Sequence, residues 1–339
     1  MLHFGQMNTD LVSERHNSKM RHFVFITLLA ASELFAQDQS PVFHASSELV
    51  LVDVQVVRTK TGAPAPALQA SDFRVFEEGV PQKILHFSRD EFPLSVVLLF
   101  DLTDSVRPML QRLAEGAETA LENLQSNDEV AVMVYAGHAS VVDGFTTDRT
   151  RTVEAIERAA TMKFNEPAYF NEAVYRAARK LGQNSSPSNR RVMIWLTDNI
   201  PNTPEAKGNA IHSEADAFRA LHEEAVVVAP ILLRSPLWAA VAPMVRAAQA
   251  TQGKSLAPGD AHKYAELTGG EAVGLRGKQP EERLAKLIEE LHARYTVGYR
   301  PSDAQAAGTF RKIRVELVHS QNLRPREWTV LARQGYYGK

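Results

Sequence analysis

The chain has 339 residues, about two domains by length, and is 44% hydrophobic and 23% charged, which supports a sizeable core and excludes wholesale disorder. Lys and Arg total 38 against 40 Asp and Glu, a formal net charge of −2, so a generic nucleic-acid or anionic-membrane binder with its basic excess is excluded. With no cysteine there are no disulfides, thiolate metal sites, iron–sulfur clusters or cysteine nucleophile.

Taken in chain order, residues 20–31 carry a short basic start and an apolar run, followed by a small residue at Ala36 and polar residues. That is the layout of a secretory signal peptide, which assigns 1–36 as a signal region and the protein as exported to the periplasm, cell surface or medium. A buried N-terminal helix is the other reading. Residues 1–19 are polar and lie outside the pattern, which makes Met20 a candidate start. The apolar run is shorter than the roughly 20 residues that span a bilayer, so no stable membrane span is expected. Residues 37–47 read as a linker.

Residues 48–91 form a β segment: a β-branched strand at 49–57, then alternating strands at 72–77 and 82–87 around a Glu78-Gly79 turn. The pattern changes at 94–100, a continuous apolar run of the kind buried on both faces of a parallel sheet. Helix is predicted at 106–124, 150–160, 171–181, 214–224, 261–268 and 281–294. Strands are predicted at 128–135, 191–197 and 225–233, with a short one near Ala272. Strands alternating with helices mean βαβ units and a mostly parallel sheet covered by helices on both faces. This α/β unit is placed at 92–294. The tail, 295–339, returns to strands at 295–299, 310–318 and 328–332. Each flanking β segment is too small alone, so 295–339 is expected to pack with 48–91 into one β-sandwich domain into which the α/β unit is inserted.

Ligands of open parallel sheets bind beyond the carboxyl ends of the strands. Two predicted strands end there in aspartate, Asp101 and Asp198, and the first opens D-x-T-x-S with Thr103 and Ser105. Alternate positions of an extended loop project to one side, so a carboxylate and two hydroxyls converge within reach of Asp198. An all-oxygen set suits Mg²⁺, Mn²⁺ or Ca²⁺ rather than zinc or copper. The plain alternatives are a strand-to-helix turn with Ser105 as its N-cap and a simple turn at Asp198-Asn199. Most of the scattered histidines read as surface residues, and Trp195 and Trp238 as core. No H-E-x-x-H, G-x-S-x-G, P-loop or dinucleotide fingerprint is present.

The Asp101-x-Thr103-x-Ser105 loop with Leu196-Thr197-Asp198 resembles the metal-ion-dependent adhesion site of the von Willebrand factor type A domain. Residues 72–84 and the later Leu267-Thr268-Gly269-Gly270, 295–299 and Gly335-Tyr336 resemble the bacterial, acidobacterial-type branch of that family, over roughly 48–337. The resemblance implies a Rossmann-like domain and a secreted, non-enzymatic adhesion or protein-binding module. Thr103 and Ser105 would ligate Mg²⁺ or Mn²⁺ directly, Asp101 and Asp198 through water, and an acidic side chain of a protein or peptide partner would complete the shell. The chain departs from the family in two places. Ala168 stands where a third direct ligand, a threonine, is expected, with Asn165, Glu166 or Asn171 as substitutes. Asn199 stands where glycine is usual. Asp104, inside the loop, reads as solvent-facing or as a helix cap. Two other functions follow from the same residues: a scaffold with a dead metal site, or a metal-assisted hydrolase with Glu166 or Glu172 as base.

Overall fold

The computed structural model describes residues 49–89, 92–163, 168–200, 212–233, 260–275, 279–303, 307–318 and 324–338. The signal region, the linker, Asn165, Glu166 and Trp238 lie outside them. Among the described residues no helix is long and apolar enough to cross a membrane.

From the N-terminal side come β1 (Val50–Arg58), β2 (Phe73–Glu77), β3 (Val80–Gln82) and β4 (Ile84–Ser88). The α/β part follows with β5 (Leu94–Asp101), α1 (Arg107–Glu115), α2 (Ala117–Ala120), β6 (Glu129–Tyr135), β7 (Ala139–Thr146), α3 (Arg149–Thr161), α4 (Phe170–Asn184) and β8 (Arg190–Thr197). It continues through α5 (Glu214–Glu223), β9 (Val227–Leu232), α6 (Ala261–Thr268), β10 (Val273–Gly274) and α7 (Pro280–His292). The chain closes with β11 (Tyr295–Tyr299), β12 (Phe310–Leu317), β13 (Trp328–Ala332) and β14 (Gly335–Tyr337).

The central sheet has the order β10-β9-β8-β5-β6-β7 and is parallel except for β7, an antiparallel edge strand. β5 is buried along its whole length, as its unbroken apolar run requires. Val96, Leu98 and Phe100 meet α1, α3 and α7 on one face, through Leu110, Ile156 and Leu287 among others. Val97 and Leu99 meet α4, α5 and α6 on the other, through Val174, Leu221 and Tyr264.

Strands from both ends of the chain pair with each other. β1 lies between β11 and β13 in a four-stranded sheet, and β12 lies between β2 and β14 in a second. The two sheets share a core of Val52, Val54, Phe73, Val75, Val297, Tyr299 and Ile313. Phe73, Phe87 and Tyr295 pack there with ring centroids 5.6 Å apart, Phe87 stacked on Tyr295 and Phe73 tilted against both.

Some expectations are corrected. The single helix at 106–124 is two, broken at Gly116, where a Cβ would lie 2.7 Å from the Glu281 side chain of α7; the close approach demands glycine, and glycine interrupts the helix. β7 and β14 were not anticipated. The histidines are not all on the surface: His222 and His292 are buried, the latter with Nε2 2.9 Å from Asp128. Burial, aided by the charge of Arg333, pushes the His222 imidazole down to about 4.

Candidate functional site

Asp101 is the last residue of the central strand, fully buried, and the parallel register sets it beside Tyr135 at the end of β6. Its Oδ1 accepts from the Thr103 backbone N–H at 2.9 Å, which folds the loop back over the strand end. Its Oδ2 accepts from the Tyr135 hydroxyl at 2.9 Å and from Thr197 Oγ1 at 3.2 Å. The buried Trp195 indole in turn donates to Tyr135 at 2.9 Å. Three neighbouring strand ends thereby fix one carboxylate.

The hydroxyls sit above it. Thr103 Oγ1 and Ser105 Oγ are 3.2 Å apart, and Ser105 Oγ donates to Asp198 Oδ2 at 2.5 Å. Asp198 Oδ1 accepts from the Ile200 N–H at 2.9 Å. One connected set of contacts thus joins Asp101, Thr103, Ser105 and Asp198 across two loops. Ser105 does not cap α1, which has no side-chain cap, and Asp104 does not cap it either: its side chain is 98% exposed and pairs with Arg107 at 3.4 Å. Burial, with the nearby charge of Asp198, raises the Asp101 carboxyl to about 6 against the hydrogen bonds from Thr103 and Tyr135. Two carboxylates facing each other with too few positive neighbours are what a bound cation relieves. Among the described residues no three of His, Cys, Asp and Glu converge, so the remaining oxygens are hydroxyls. That donor set fits a hard cation that retains several waters.

The residues around this rim divide clearly. Ala168 is buried in the core beside α4 and offers no oxygen. Asn171 Oδ1 accepts from the Tyr264 hydroxyl at 2.8 Å. Glu172, the candidate base, is buried and holds Arg176 and, at 2.6 Å, His212 Nδ1. Burial works to raise its carboxyl, but these bonds prevail and keep it below the ordinary carboxylate range, where it is a poor proton acceptor. Asn199 adopts φ +56°, the left-handed conformation that accounts for glycine being usual there. Its amide spans to the start of α6, donating to Asp260 at 3.1 Å and accepting from the Ala261 N–H at 2.8 Å. A cavity of about 860 Å³ opens beside Asp198 and Asn199, walled by the 59–64 turn, the ends of β9 and β10, and α7.

Sequence reasoning missed Tyr135; it named Thr197 only as part of the motif and Trp195 only as core, which its burial bears out. Aligning the strand ends in parallel register would have found Tyr135, because it lies level with Asp101.

Residues 96–200 match the von Willebrand factor type A domain, and all four site residues fall inside the match. None of the curated proteins matches the chain. Solved structures similar to it include a von Willebrand factor type A protein from Catenulispora acidiphila, 13% identical with a TM-score of 0.41, covering 87% of this chain and 75% of that one. BatB from Bacteroides thetaiotaomicron is 14% identical, with a TM-score of 0.39 over 58% of this chain and 98% of its own. Proximal thread matrix protein 1 from the mussel byssus, with a zinc-occupied metal-ion-dependent adhesion motif, is 15% identical, with a TM-score of 0.39 over 63% of this chain and 49% of its own.

Proposed function

We propose that this protein is an exported, non-enzymatic binding module that engages an acidic side chain of a protein or peptide partner through a divalent cation at the Asp101–Asp198 rim. The observation that carries the reading is the contact chain from Thr103 through Ser105 to Asp198, directly over a buried aspartate. Thr103 and Ser105 would ligate Mg²⁺, Mn²⁺ or Ca²⁺ through their hydroxyls, with Asp101 and Asp198 holding its waters. When bound, the cation supplies an electrophilic position for the partner's carboxylate. Asp101 is held by Tyr135 and Thr197 as a counter-charge beneath that position. Against hydrolysis stands the engagement of Glu172 by Arg176 and His212.

Calorimetric titration with Mn²⁺ tests this. The wild type is expected to bind, and Asp101→Ala and Ser105→Ala to lose at least about tenfold in affinity; unchanged affinity in both removes the site. The buried methyl of Ala168 favours a second reading, a metal-free scaffold. Because a ligand of the native state raises stability by mass action, a melting temperature that does not move in millimolar Mn²⁺ selects that reading.

A further inference from the structure

The seam where β1 crosses the α/β unit gathers three arginines about one carboxylate. Leu51, Asp53 and Gln55 follow at alternate positions of β1, about 7 Å apart. Arg333 donates to the Leu51 carbonyl at 2.6 Å, Arg190 Nε lies 3.0 Å from Asp53 Oδ1, and Arg294 Nη1 donates to Gln55 Oε1 at 3.1 Å. Arg190 and Arg294 are 5% and 0% exposed, so their charges are taken almost wholly out of water.

Neutral acceptors meet part of the need. Arg190 donates to the Leu291 carbonyl in the last turn of α7 at 2.9 Å, and Arg294 to the Gly269 carbonyl just past α6 at 2.5 Å. Each helix carboxyl end brings about half a negative charge. Set against three guanidinium groups, Asp53 and those two ends leave about one positive charge uncompensated. The donors tell the same story: Arg190 Nη2, Arg294 Nε and Arg333 Nε are buried and meet no acceptor among the described residues, and Arg190 Nε, although close to Asp53, is not aligned for a hydrogen bond with it. Burial, reinforced by Arg190 and opposed by Asp53, holds the Arg294 guanidinium down to about 10, and burial lowers Arg333 as well.

We propose that Arg190, Arg294 and Arg333 bind one monovalent anion of halide size at this seam. The three unused N–H groups would be its donors, and its charge balances the cluster. Asp53, 27% exposed at its side chain, marks the side from which solvent ions enter. The site lies on the opposite flank of the sheet from the Asp101 rim, because Arg190 begins the strand after whose end Asp198 stands. It is independent of any metal.

Thermal unfolding of the full chain in EDTA tests it, comparing sodium chloride and sodium bromide with sodium gluconate at one ionic strength. The melting temperature is expected to rise saturably with either halide and not with gluconate, whose anion is too large for the seam. Arg333→Gln should weaken the halide dependence at least about tenfold. Asp53→Asn, which removes the competing carboxylate, should tighten it several-fold and carries the test should the first variant not fold. Identical melting temperatures in halide and gluconate, or variants that keep the wild-type halide dependence, overturn the proposal. So does a bromide-grown crystal with no anomalous scatterer beside these arginines.

Discussion

Asp101 carries the pH behaviour of the rim. Its carboxyl is raised from 3.8 to about 6, chiefly by burial, so the folded state holds the proton more tightly than the unfolded chain does. Stability from this group is complete below pH 4 and is lost as the pH rises through 6, on the order of 3 kcal/mol in all. Denaturant melts of the wild type and Asp101→Asn in EDTA, from pH 4 to pH 7.5, are expected to show the variant gaining relative to the wild type across that range. Millimolar Mn²⁺ should cancel the gain. A pH-independent gap between the two proteins would refute the assignment. The Asp-x-Thr-x-Ser pattern was legible because alternate loop positions share a side whatever the surrounding fold. The support beneath it was not, since Tyr135 reaches Asp101, and Trp195 reaches Tyr135, only through the lateral register of three strands, which hydrophobic pattern leaves open. Asn199 was visible as a departure, but its left-handed backbone and its link to Asp260 belong to coordinates alone.

At the scale of elements, the ends of helices are where this fold is tightest. Gly269 ends α6 at φ +77°, and a Cβ there would lie 2.5 Å from the Ala332 carbonyl carbon of β13. Gly269→Ala therefore meets both backbone strain and a backbone clash, and a loss of at least about 2 kcal/mol is expected in urea melts. Gly62, also at positive φ, has nothing within 4 Å of its hypothetical Cβ. Gly62→Ala should cost less, about 1 kcal/mol, from the backbone alone. Equal losses would mean that the helix-to-sheet approach at Gly269 has no energetic weight. The strongly periodic helices and the apolar strands were legible at nearly their observed bounds, because burial of one face or both fixes their pattern. β7 was not, since a half-exposed edge strand such as Ala139–Thr146 has mixed residues on both faces. The break at Gly116 was hidden for a different reason: its cause, Glu281, is far away in sequence.

The whole molecule is held together by contacts between segments distant in the chain. β1 takes one neighbour from β11 and another from β13, so neither end of the chain completes the sandwich alone. The α/β unit is bound to it at several places, of which two stand on different flanks. Arg190, at the start of β8, pairs with Asp53 of β1. On another flank His222 of α5 packs edge-on against Phe310 of β12, and Arg219 lies over the Tyr337 ring of β14. Removing one half of such a joint leaves buried arginine or aromatic surface in water or unpaired, a cost of several kcal/mol against a typical total of about 5–15. The two parts should therefore unfold as one. Calorimetry of residues 48–339 is expected to give a single transition whose calorimetric and van't Hoff enthalpies agree. A chain cut before Arg324, lacking β13 and β14, should expose the β1 edge and aggregate. Two resolved transitions in the intact chain, or a soluble and folded truncation, would mean that the sandwich and the α/β unit stand independently and that the Arg190–Asp53 seam binds nothing together.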